Sequence, residues 1–186
     1  MQHAQEPTFD ADAYLAWEET QAEKHEFLAG ETFAMVGAPR EHVIVSLNLA
    51  ASLKQRLRGT PCQVYIADMK LRVEEADAFF YPDVMVSCDQ DDRRADLFLS
   101  HPTLVAEVLS DSTTAFDRGD KFAAYRRLAS LKEYVIVDIN ALRVECYRRT
   151  PDDEWLLHDY TGEENCEFSS LGLIVPLAEI FEDVEP

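Results

Sequence analysis

Apolar positions recur along the chain with two periods, and the changes between those periods mark out the elements. A first helix is expected around Tyr14, Leu15 and Trp17, with Thr8 or Asp10 able to cap its start. Between Glu23 and Met35, two alternating arms flank Ala29-Gly30, the pattern of a β-hairpin. Pro39 precedes a long helix in which Val43, Ile44, Leu47, Ala50, Ala51, Leu53 and Leu57 recur at near-helical spacing, and Gly59 offers a C-terminal stop. Short strands are expected at 62–66, 69–74 and 79–87, followed by a charged loop at 90–96. A buried strand at 104–109, a helix over most of 112–129 and a hairpin of 133–139 with 142–149 come next. An edge strand at 155–160 and a short strand and helical turn within 171–181 complete the chain. Helix, strands, helix, strands is the order of an α/β sandwich around a mixed sheet.

Two of these strands break the apolar pattern with an acid. In Leu104-Val105-Ala106-Glu107-Val108-Leu109, pleating puts Val105, Glu107 and Leu109 on one face and Leu104, Ala106 and Val108 on the other. A carboxylate in such surroundings costs several kcal/mol unless it is paired, protonated or bound to a metal. Tyr81-Pro82-Asp83-Val84-Met85-Val86 likewise places an acid at the head of an apolar run. Downstream, Asp117-Arg118-Gly119-Asp120-Lys121-Phe122 opens a helix and offers a cation.

Two strand acids and a following lysine are the parts of a metal-dependent phosphodiesterase site. Asp83 and Glu107 could share one Mg2+ if their strands are adjacent, since neighbouring strands lie about 5 Å apart. The backbone carbonyl of Val108 could add a third oxygen, and Lys121 could orient the attacking water and stabilise the transition state. Each residue also has a plainer reading. Asp83 suits a turn after proline, Glu107 a strand ion pair, and Lys121 a helical pair with Asp117 four residues earlier. Glu26 could be a solvated hairpin acid and His42 a surface residue at a helix start. Asp68 reads as a turn residue, and Tyr125 as core, with a hydrogen bond to the site as the alternative. Arg126, Arg127 and Lys132 read first as a solvated helix end and second as phosphate contacts, while His25, His101 and His158 have no metal-site spacing.

Composition narrows the setting. One domain is expected over 1–186, with acidic extensions at about 1–12 and 176–186. No apolar run is long enough for a membrane span, and the N-terminus lacks the regions of a signal peptide. Cys62, Cys88, Cys146 and Cys166 lie far apart without CxxC spacing, so reduced thiols in a cytoplasm are expected. The net charge of −19 opposes contact with nucleic acid. That charge sits at the ends, however. Residues 1–31 hold eight acids and one base, and 150–186 hold eleven acids and no base. The stretch 32–149 has seventeen acids and sixteen bases, so the candidate site lies in a balanced segment.

The ordered set Pro82-Asp83, Ala106-Glu107-Val108-Leu109-Ser110, Asp117 to Tyr125 and Glu133-Tyr134-Val135-Ile136-Val137-Asp138 resembles a widespread bacterial family of restriction-endonuclease-like proteins within the PD-(D/E)xK nuclease superfamily. The likeness runs from about Tyr14 to Trp155 and takes in Glu26-Phe27-Leu28-Ala29-Gly30-Glu31 and His42. It implies a restriction-endonuclease-like core, a mixed β-sheet flanked by helices, and a Mg2+-dependent endonuclease acting on DNA, with Mn2+ as substitute. It departs at one point: the superfamily lysine stands two residues after the second acid, and here that residue is Leu109. The family takes its lysine from the following helix, which points to Lys121, with Glu26 as an additional acid. The alternatives are a nuclease fold kept for binding alone and a hydrolase of RNA or another phosphate ester. Exposed sheet edges in such folds suggest a homodimer.

Overall fold

In the computed structural model, residues 10–110 and 112–184 are described. The predicted capping residue Thr8 lies outside them. Asp10 caps α1 (Ala11–Glu18) by accepting from the Ala13 N–H. The first hairpin pairs β1 (His25–Leu28) with β2 (Glu31–Ala34). Its two-residue turn holds Ala29 at φ 48° and Gly30 at φ 92°, the left-handed backbone that a tight hairpin requires and glycine adopts most easily.

The long helix is α2 (Arg40–Arg56). Its buried stripe is Val45, Leu49, Ala50, Ser52 and Leu53, while Val43 and Leu47, expected inside, are 55% and 61% exposed. The helix carries apolar residues on more than one face, so spacing alone does not identify the inner one. Strands β3 (Gln63–Ile66) and β4 (Lys70–Val73) follow. The strand expected over 79–87 is two strands in two different sheets, β5 (Ala78–Phe80) and β6 (Val84–Ser87). The break falls at Tyr81-Pro82-Asp83, where proline has no N–H for a ladder. Then come β7 (Phe98–Leu99) and β8 (Leu104–Val108).

The helix expected over 112–129 is composite: α3 (Thr114–Phe116), a π-helical turn (Asp117–Lys121) containing Gly119, and α4 (Phe122–Tyr125). Strands β9 (Glu133–Asp138), β10 (Arg143–Arg149) and β11 (Trp155–Thr161) form the expected hairpin and edge. A second hairpin, β12 (Asn165–Phe168) with β13 (Leu173–Pro176), precedes α5 (Leu177–Ile180). Among the described residues, no helix is long and apolar enough to cross a membrane.

Two mixed sheets result. One runs β2-β1-β5-β4-β7 and the other β11-β10-β9-β8-β6-β3. In the larger sheet β8 and β9 are parallel and the remaining neighbours antiparallel. One face of this sheet, through Val84, Val86, Ala106, Val135 and Val137, packs on α2 and the C-terminal elements. The opposite face, through Met85, Val105, Tyr134 and Ile136, packs on the smaller sheet and the composite helix. Glu107 belongs by alternation to this second face.

The cysteines depart from the expectation of four thiols. Cys62 and Cys88 form a disulfide, while Cys146 and Cys166 are free and buried. Gln63 pairs with Ser87 across β3 and β6, so Cys62 and Cys88 stand opposite each other one step further along the same register. Separation in sequence conceals that juxtaposition.

A buried acidic site around Lys121

The register of the larger sheet brings the two strand acids together. Val84 pairs with Ala106 across β6 and β8, so Asp83, one residue before β6, stands opposite Glu107. Their backbones and carboxylates interlock: Val108 N–H donates to Asp83 Oδ2 at 2.8 Å, and Asp83 N–H donates to Glu107 Oε2 at 3.4 Å. Asp83 also lies 3.3 Å from His42 Nε2, near the N-terminus of α2.

Lys121 enters from the composite helix and is 5% exposed. Its Nζ lies 2.9 Å from Glu26 Oε1 on β1, 3.3 Å from Glu107 Oε1 and 3.3 Å from Asp117 Oδ1. Tyr125 donates its hydroxyl to Glu107 Oε1 at 2.8 Å. Asp117, Lys121 and Tyr125 are spaced four apart and all reach this one cluster. A wider π turn ahead of an α turn offsets the drift that four-residue spacing accumulates in a uniform α-helix, which keeps the three on one face. The same Oε1 of Glu26 also accepts from the Tyr81 N–H at 3.1 Å. The residue beside the sheet-switching proline therefore helps to hold the acid on β1.

The site thus gathers four carboxylates, from Glu26, Asp83, Glu107 and Asp117, against one lysine and His42. Asp117 Oδ1 is in ion-pair reach of Lys121 but makes no hydrogen bond to it. Burial raises Glu107 well above the usual carboxylate range; Lys121 opposes that shift, and the neighbouring acids reinforce it. Burial likewise raises Glu26 and Asp117 against the pull of Lys121. Burial alone would pull Lys121 down, but the three carboxylates together outweigh it and hold the ammonium well above the ordinary lysine value. His42 is lowered by burial but raised by more through its bond and charge contact with Asp83, for a net rise. Burial is the main cause for each of the three acids Glu26, Glu107 and Asp117, and the neighbouring carboxylates add to it.

All four side chains proposed from the sequence therefore lie in one place. Glu26 is not the solvated hairpin acid of its plainer reading, since it is 5% exposed. The helical pair of Lys121 with Asp117 is real and coexists with the longer-range contacts. Residues 11–178 match the family Uma2, described as "Putative restriction endonuclease". The chain belongs to this family. Two uncharacterized proteins of Synechocystis sp. are similar to it. One, slr1290, is 36% identical over 90% of this chain and 88% of its own length; the other, sll1609, is 36% identical over 86% and 92%. The fold is similar to that of the crystal structure of a "putative nuclease belonging to DUF820" from Anabaena variabilis, with TM-score 0.76, 14% identity, and coverage of 93% of this chain and 97% of that one. The Uma2 chain thus has the restriction-endonuclease-like architecture expected: mixed sheets flanked by helices.

Three further contributors have plainer first readings from the sequence. Asp117 was seen only as a partner for Lys121, whereas it is 1% exposed and shares the ammonium with two other acids. Tyr125, whose first reading is core, makes the alternative hydrogen bond to the site, and His42, within the family likeness but read first as surface, contacts Asp83. The four-residue spacing of Asp117, Lys121 and Tyr125 was the available signal for the first two.

A separate group lies on the loop after β6. Among the described residues, Asp89, Asp92 and His101 are the set of three with ligand atoms close enough together for one ion. The plain spacing of His101 gave no hint of this. Asp92 is already engaged there, accepting from Ser87 Oγ, Ser100 N and His101 N, and so ties the loop to the chain entering β8.

Proposed function

We propose that this chain is a divalent-metal-dependent nuclease that hydrolyses phosphodiester bonds in DNA. The observation supporting the reading is the convergence of three carboxylates on one buried lysine, at the point where Asp83 and Glu107 face each other across adjacent strands. The donor set fits a hard cation. It consists of oxygens, its negative charge exceeds its own positive charge, and Asp117 Oδ1 is buried without a hydrogen bond. Asp83, Glu107 and the Val108 carbonyl would hold Mg2+, with Mn2+ as substitute. When bound, the ion would lower the pKa of a coordinated water and polarise the phosphate.

The chain's own residues supply positioning. Glu26 and Asp117 fix the ammonium of Lys121 beside Glu107, where it can orient a water and face charge building on the phosphate. Tyr125 locks one oxygen of Glu107, and the Asp83 N–H approaches the other. His42 steadies Asp83 on the side of α2. Asp83 and His42 keep side-chain exposures of 17% and 14%, against 2–6% for Lys121 and its three acids, so substrate reaches the site from their side.

The test is conversion of supercoiled plasmid by purified protein with Mg2+, Mn2+ or Ca2+. Nicking with the first two, lost in Glu107→Gln at unchanged far-UV circular dichroism, supports the assignment. Equal nicking by wild type and Glu107→Gln removes it.

A further inference from the structure

Beyond the acidic site, a half-open cavity of about 360 Å3 lies against the C-terminal ends of the parallel pair β8 and β9. That volume is in the range of small-molecule pockets, about 300–1,000 Å3, and crevices outside the carboxyl ends of parallel strands are where open α/β sheets take ligands. The cavity wall is continuous along the chain with residues of the acidic cluster. Leu109 in its wall follows Glu107 by two residues, and Arg118 in its wall is the neighbour of Asp117 on the π turn. From the β6–β8 pair that holds Asp83 and Glu107, the strand carrying Asp138 is the next one across.

The lining indicates the ligand's chemistry. Arg118 donates to both oxygens of Glu145, at 2.5 and 3.0 Å, so its charge is already met and, among the described residues, the cavity offers no free cation for a phosphate. Asp138 spends Oδ1 on the Ala141 N–H, while its Oδ2 has only Arg143 at 3.9 Å and can accept further. The amide of Asn140 has no hydrogen-bond partner among the described residues. An acceptor carboxylate beside an uncommitted amide suits a neutral ring with adjacent N–H donors and a carbonyl. Guanine has that edge, with N1–H and the N2 amine for Asp138 and O6 for Asn140.

We propose that this cavity takes one unstacked guanine of a single-stranded nucleic acid whose neighbouring phosphodiester lies at the acidic site. The proposal rests on the nuclease reading for its second half alone. A base can enter only when freed from its stack, so the substrate is single-stranded or locally opened.

The test needs no cleavage. Binding to the full chain in EDTA is followed by intrinsic fluorescence for dGMP, dAMP and deoxyribose 5-phosphate, and by anisotropy for labelled dT12 and dT12 with one central dG. The expected result is dGMP bound at least ~10-fold tighter than the other two small probes, and the dG-containing strand bound tighter than both dGMP and dT12. Ala141→Trp, which fills the cavity from the exposed 139–142 turn, and Asp138→Asn, which removes the acceptor, should each abolish the guanine preference. Equal binding of dGMP and deoxyribose 5-phosphate overturns the proposal. So does guanine preference intact in both folded variants, or no gain from strand over mononucleotide. Plasmid cleavage without guanine binding would sink this inference and leave the nuclease reading standing; guanine binding without cleavage would do the reverse.

Discussion

Lys121→Met tests the central arrangement most directly, because it keeps the buried stem and removes only the charge. In the native protein the ammonium stands 2.9 Å from Glu26 and 3.3 Å from both Glu107 and Asp117. Removing one partner of a buried ion pair costs about 3–5 kcal/mol, because the opposite charge is left uncompensated. Here three acids lose the cation they share, so the loss should reach that range at neutral pH. The acids have an escape, which is to take up protons. All three are already raised above ordinary carboxylates, with burial as the main cause and Lys121 opposing it. Without Lys121 they rise further. A carboxyl whose folded pKa exceeds its unfolded value of about 4 contributes fully below that value and loses the contribution as pH rises through the folded pKa. The deficit of the variant should therefore be largest at pH 8 and shrink toward pH 5. Urea unfolding followed by far-UV circular dichroism between pH 5 and 8 measures it, provided the m-value is unchanged. A deficit constant with pH would show that lost packing, not charge, is responsible. A variant as stable as wild type at pH 8 would refute the claim that the ammonium holds these acids together.

Three other outcomes are expected. Mn2+ should raise the melting temperature of the wild type in proportion to the logarithm of its concentration above Kd, and should leave Glu107→Gln unmoved; an equal rise in both places the ion elsewhere, with the Asp89, Asp92 and His101 group the first alternative to mutate. Reducing Cys62–Cys88, which closes a loop with a sequence separation of 26, should cost about 3–4 kcal/mol of stability by loop entropy, and Cys62→Ala should show no further loss on adding reductant. Strand β11 is an outer strand of the six-stranded sheet and exposes Leu156 and Leu157 at about half of their surface. We expect a homodimer through this edge, which sedimentation at micromolar protein would detect and Leu157→Lys should weaken; a monomer in both proteins rejects it.

Much of the fold was legible because it follows from local pattern. The Ala29-Gly30 hairpin, the long helix after Pro39, the buried strand at Glu107 and the β9–β10 hairpin each carry their own periodicity and turn residues. What local pattern could not convey was partnership. Tyr81-Pro82-Asp83 looks like the middle of one strand, since apolar residues flank it on both sides, yet the chain there leaves one sheet for another. Strand β12 was missed because Asn165-Cys166-Glu167-Phe168 is too short and too polar to stand out, although Cys166 and Phe168 are fully buried. The disulfide likewise depends on a register that only pairing creates.

On the proposed reading, a lysine displaced from the strand would serve the same chemistry from the following helix. A strand residue two positions after Glu107 would share its face, and a lysine there would reach the acids directly. Leu109 occupies that position and packs into the apolar cluster with Phe116, Tyr125 and Tyr134. The face that would have carried the ammonium is thereby occupied by hydrocarbon, and the helix above it supplies the lysine instead. That helix must then present a cation, its ion-pair partner and a hydroxyl donor toward one point. Asp117, Lys121 and Tyr125 do so through the change of helical pitch at Gly119. Restoring the superfamily spacing with Leu109→Lys in a Lys121→Met background should accordingly fail to replace Lys121. The new ammonium would start in an apolar pocket, where burial disfavours its charge, and the vacated helix position would still leave Asp117 facing Glu107 without a cation between them.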